Sequence, residues 1–85
     1  MQLNEKAAAI EAILFASGEA VDAERISDAA EVDITDVPKL INLLTQRYND
    51  SKGALEIVKL GSKYQMCTKK EYSEYIKSAM ESKKQ

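Results

Sequence analysis

Histidine, the side chain that most often serves as general base or metal ligand near neutral pH, does not occur in this 85-residue sequence. Its densest carboxylate group is Glu19, Asp22, Glu24, Asp28, Glu31, Asp33 and Asp36. These acids spread over a helix and its flanks, with no nucleophile placed to use them and no calcium-loop spacing, so they read as a solvated face. The single cysteine, Cys67, lies inside an apolar pattern and has no partner for a disulfide, which reads as a small core residue rather than a reactive thiol. The three glycines, Gly18, Gly53 and Gly61, stand apart at element boundaries and form no loop that could cradle a phosphate. The sequence therefore predicts no catalytic residue, no metal ligand and no cofactor, and a protein that is not an enzyme.

What remains is binding, and the elements that would position a binding surface are legible. Eighty-five residues, 45% hydrophobic and 31% charged, make one ordinary globular domain over 1–85, with little depth for a cleft. No apolar run reaches the roughly 18 residues of a membrane span, and the first residues, Met1 to Lys6, lack a basic leader pattern. The expectation is a cytoplasmic protein with no membrane contact. Residues 4–17 are rich in alanine without a breaker, and Gly18 sits where a helix ends in a left-handed residue. Asp22 is placed to cap a short second helix over 23–30 whose inner side is Ile26, Ala29 and Ala30. After a turn at Val32, Asp33 and Ile34, Thr35 or Asp36 caps a third helix with Pro38 in its first turn, where a missing N–H costs nothing. Val37, Leu40, Ile41, Leu44 and Tyr48 repeat at the helical period and predict its core stripe.

Residues 50–53 break that helix. Residues 55–60 and 64–68 then read as two strands joined around Gly61, Ser62 and Lys63. Thr68 and Glu71 have the T-x-x-E spacing of a capping box, which predicts a last helix carrying Tyr72, Tyr75, Ile76, Ala79 and Met80 on one stripe and fraying over 82–85. Three helices, a β-hairpin wing and a C-terminal helix constitute the winged helix-turn-helix arrangement, an α+β fold that is mainly helical.

Winged helices often enter DNA through the third helix, whose outward residues here are Lys39, Asn42, Gln46 and Asn49. Asn and Gln can read adenine edges, but duplex binding also needs phosphate contacts. Lys6, Arg25, Lys39 and Arg47 are the only basic residues before Ser51, against ten acidic ones, whereas 51–85 hold eight basic and four acidic. The helices that would meet DNA repel it, and Lys52, Lys59, Lys63, Lys69 and Lys70 around the wing read as a solubilising surface. Direct DNA binding is expected to be weak or absent, with a DNA-binding transcriptional regulator as the alternative reading.

The first helix offers the stronger lead. Leu3, Ala7, Ile10, Ile13 and Leu14 supply a core face, yet Ala8, Ala12, Phe15 and Ala16 form a second apolar stripe. Small residues spaced three and four apart admit another helix closely, so this stripe is the candidate partner-binding surface, for a second copy or another protein. Alternatively, Phe15 packs under the wing and the alanines serve helix propensity. Tyr72 and Tyr75 are expected to close the core.

Ala12-Ile13-Leu14-Phe15-Ala16-Ser17-Gly18, then Lys52-Gly53 leading into Leu55-Glu56-Ile57-Val58, then Tyr64-Gln65-Met66-Cys67-Thr68-Lys69-Lys70-Glu71-Tyr72, resemble the amino-terminal domain of bacterial segregation and condensation protein B. The resemblance spans nearly the whole chain. Two local departures are Ala20, where the family often has proline, and Ala54, an extra residue before the first wing strand. Family members also carry a second winged-helix domain and a flexible tail, so the resemblance implies that 1–85 is the amino-terminal domain of a longer two-domain protein. It further implies a nucleoid-associated accessory subunit of the bacterial condensin. Such a subunit forms a homodimer and binds the kleisin, segregation and condensation protein A, and through it the structural-maintenance-of-chromosomes (SMC) ATPase, in chromosome condensation and segregation.

Overall fold

The alanine-rich start forms helix α1 (Leu3–Ser17), which stops where Gly18 takes φ +70° and donates its N–H back to the Leu14 carbonyl at 3.4 Å. A computed structural model of the chain describes residues 3–81, so the expected fraying over 82–85 lies outside the described residues. After α1 come strand β1 (Val21–Asp22), helix α2 (Ala23–Ala30), a 3-10 turn (Ile34–Asp36) and helix α3 (Val37–Ser51). Strands β2 (Leu55–Leu60) and β3 (Lys63–Thr68) follow, then a second 3-10 turn (Lys70–Tyr72) and helix α4 (Ser73–Glu81). Glu31 and Lys52, both with positive φ, end α2 and α3 as left-handed caps. Pro38 lies in the first turn of α3, where its ring is pre-set for the helix.

The wing is a hairpin in which Leu60 pairs with Lys63, leaving Gly61 and Ser62 as a two-residue turn. Gly61 has φ +65° at the first turn position, which a side chain adopts only with strain. The sheet has one strand more than the hairpin expected from the sequence. Its order is β1-β3-β2, all antiparallel, because Val21 and Asp22 pair with Tyr64 and Lys63. Two residues are too few to show alternation, and their partners lie some forty positions away.

The core lies among α1, α2, α3 and the inner face of β3. Ala7, Ile10 and Leu14 from α1 meet Ile26 and Ala30 from α2, Val37, Leu40, Ile41 and Leu44 from α3, and Val21, Val32, Tyr64 and Met66. The stripe expected for α3 is thus buried, with Tyr48 partly so. At the edge of this core the Tyr48 hydroxyl donates to Glu11 Oε2 at 2.6 Å, tying α3 to α1. Lys6 Nζ donates to the Ala30 carbonyl at 3.0 Å, placing a cation on the negative end of α2. Arg47 donates to the side chain of Asn4 and adds a second α3–α1 link.

Several local expectations do not survive tertiary context. Leu3 is 57% exposed, because the first turn of α1 overhangs the core, and Ala29 faces solvent. Asp22 is the N-cap of α2, but its carboxylate accepts from the Ser62 hydroxyl at 3.2 Å instead of from the helix, while Ala23 N–H donates to the Ser62 carbonyl at 3.0 Å. Recruitment into β1 turned the cap toward the wing. The Thr68–Glu71 capping box does not form: Thr68 is paired with Leu55 in the sheet, and Lys69 N–H extends that pairing to the Ala54 carbonyl at 2.7 Å. The chain therefore stays extended to Lys69, which becomes the N-cap of the 3-10 turn without a side-chain bond. Finally, α4 buries none of its residues, so Tyr75 does not close the core.

Candidate partner-binding surface

Helix α1 presents two faces because its apolar residues repeat on two sides. Ala7, Ile10 and Leu14 point inward and are at most 1% exposed, with Ile13 half-buried beside them. Ala8, Ala12, Phe15 and Ala16 share the opposite side, and all four are exposed. Ala12 lies four residues from both Ala8 and Ala16 and three from Phe15, which places them along one continuous line. Phe15 keeps 73% of its surface exposed. Its ring stands at the rim of a shallow cleft of about 180 Å³ lined by Leu14, Gly18, Leu55, Met66, Cys67 and Thr68. The wing thus borders Phe15 without covering it.

Cys67, on the cleft wall, is partly buried, and its thiol pKa is raised first by that burial and then by the neighbouring Glu56 carboxylate. Both effects hold it as a neutral thiol at physiological pH, the opposite of what a nucleophile needs. Tyr48 is likewise raised well above the ordinary phenol range, first by burial and then by its hydrogen bond to Glu11. This pair is a structural tie between helices. Among the described residues, no three His, Cys, Asp or Glu side chains converge where a metal ion could sit. No helix among them is long and apolar enough to cross a membrane.

A second exposed apolar face lies on α4, where Tyr75 is 74%, Met80 62% and Ile76 38% exposed. Tyr75 leans on Tyr72, the two rings 6.2 Å apart and tilted by 36°. The helical period alone marked this stripe in the sequence. Exposure, which period cannot reveal, makes it a surface feature rather than a core one.

The outward side of α3 carries no comparable chemistry. Lys39, Asn42, Gln46 and Asn49 are all exposed, and Lys39 pairs with its own Asp36 at 3.8 Å. Of the wing lysines, Lys52, Lys59, Lys63 and Lys70 are exposed and Lys69 is half-buried. A helix for the major groove needs a ring of cations around it, whereas Asp33 and Asp36 precede α3 and Asp50 lies in its last turn.

Helices α1 to α3 with the hairpin wing define a winged-helix domain whose largest exposed apolar features lie on α1 and α4. The model of the family described as segregation and condensation complex subunit ScpB matches residues 8–85, and the chain belongs to that family. Segregation and condensation protein B of Clostridioides difficile is 36% identical over 77 residues, covering 88% of this chain and 43% of that protein. Its counterpart in Lachnoclostridium phytofermentans is 40% identical over 76 residues, covering 89% of this chain and 40% of that protein. The chain thus spans about two fifths of the length of these curated relatives. A crystal structure of a dimer of the ScpB N-terminal domain complexed with ScpA peptide superposes with a TM-score of 0.83 at 29% identity, covering 91% of this chain and 96% of that one. ScpB from Mycobacterium tuberculosis shares the fold, with a TM-score of 0.91 at 15% identity, over all of this chain and 53% of that one.

Proposed function

We propose that this chain is the amino-terminal winged-helix domain of a non-catalytic accessory subunit of the bacterial condensin. It acts in chromosome condensation and segregation by forming a homodimer and binding the kleisin, and through the kleisin the SMC ATPase. It works in the cytoplasm, associated with the nucleoid. The observation that carries this reading is the match, along nearly the full length of both chains, to an ScpB N-terminal domain solved as a dimer with a ScpA peptide. The exposed line of Ala8, Ala12, Phe15 and Ala16 supports it from the side of physics, because an apolar stripe left over once the core is filled gains by being covered. We assign the dimer contact to those four residues.

Titrating the chain with a peptide from the kleisin of the same cell, at low and high salt, tests the partner assignment. An apolar contact gives an affinity that changes little with salt. No peptide binding by a chain of correct fold would defeat the kleisin assignment for this domain. Duplex affinity that collapses as salt rises would instead favour a DNA-binding role.

A further inference from the structure

The α1 stripe is too small to hold a dimer alone. Phe15 and the three alanines offer about 300 Å², whereas a stable interface covers roughly 800 Å² on each partner. The same chain carries a second exposed apolar face on α4, where Tyr75, Ile76 and Met80 offer about 400 Å² more. None of the nine residues of α4 is buried. Helix and cleft also lie close in sequence, because Thr68 lines the cleft beside Phe15 and α4 begins at Ser73.

We infer that α4 of one copy docks on the α1 stripe of a second copy, with Phe15 of each packed against Tyr75, Ile76 and Met80 of the other. The inference rests on the dimer reading given above and specifies its interface. A two-fold axis makes the exchange reciprocal, so each protomer contributes both faces and the covered area comes close to that of a stable dimer. On α4 Lys77 lies between Glu74 and Glu81, and on α1 Lys6 lies between Glu5 and Glu11, so the two helices meet through their apolar residues rather than through opposite charge.

The test uses two chains of different mass, one Ala12→Cys and one Ile76→Cys, each with its native Cys67 replaced by serine. Both substituted sites lie outside the core, and circular dichroism checks that each chain is folded. The chains are mixed and treated with a short bifunctional maleimide, while sedimentation equilibrium reads self-association separately. The exchange gives a cross-linked species joining one chain of each kind, several-fold above the self-linked product of either chain. Self-linked Ala12→Cys chains in excess would show α1 on α1, and self-linked Ile76→Cys chains would show α4 on α4; either overturns the exchange while the dimer stands. A sedimenting dimer with no cross-link in any mixture also overturns it. A monomer by sedimentation removes the dimer reading itself.

Discussion

Replacing Phe15 with alanine separates association from folding, because the ring is 73% exposed in the single chain. About 150 Å² of its surface lies open, and covering roughly half of that in a dimer is worth about 2 kcal/mol per copy at 25 cal/mol per Å². An isologous interface contains the contact twice, so the loss approaches about 4 kcal/mol, a roughly thousand-fold rise in the dimer dissociation constant. The quarter of the ring that is covered in the single chain touches the cleft rim, and its removal costs folding about 1 kcal/mol or less. Sedimentation equilibrium across protein concentration reads the first quantity, and urea denaturation of the dissociated chain reads the second. A folded Phe15→Ala chain that associates as tightly as its parent would refute the role given to the stripe. A loss of several kcal/mol in folding stability would show instead that Phe15 belongs to the core.

Three further outcomes follow from the packing. Tyr48→Phe removes the hydrogen bond to Glu11 and lowers folding stability by about 1–2 kcal/mol in urea denaturation. Because folding raises the Tyr48 pKa above its ordinary value of 10.0, the phenol's contribution is complete below that pH and declines as pH rises beyond it, so Tyr48→Phe flattens the alkaline part of the stability profile. Gly18→Ala places a Cβ at φ +70° with no atom within 4 Å, so its cost, about 1 kcal/mol in thermal denaturation, is conformational rather than steric. Ala7→Leu forces a larger side chain into a fully buried site between packed elements and costs about 1–3 kcal/mol, whereas Ala8→Leu, one residue away on the open face, leaves folding stability nearly unchanged.

What the sequence made legible was periodic. The helices α1, α2 and α3, the hairpin and the inward stripe of α3 follow from residue spacing and from boundary residues such as Gly18 and Pro38. Relations between distant segments were not legible. Strand β1 exists because Val21 and Asp22 meet Tyr64 and Lys63, and that meeting took the Asp22 carboxylate from the helix it was expected to cap. The T-x-x-E box gave way for the same reason, since the pairing of Thr68 with Leu55 and of Lys69 with Ala54 outweighed a local cap worth about 1 kcal/mol. For the candidate surface, periodicity marked Ala8, Ala12, Phe15 and Ala16 and also the α4 stripe. It did not distinguish a stripe that the domain covers from one that it leaves open, and so Tyr75 was expected inside the core it stands clear of.

Self-association is the property on which the account turns, and sedimentation equilibrium of the unmodified chain over a wide concentration range measures it most directly. The expected result is a reversible dimer of twice the 9.4 kDa chain mass, little weakened by added salt. A chain that stays at 9.4 kDa at every concentration would contradict it.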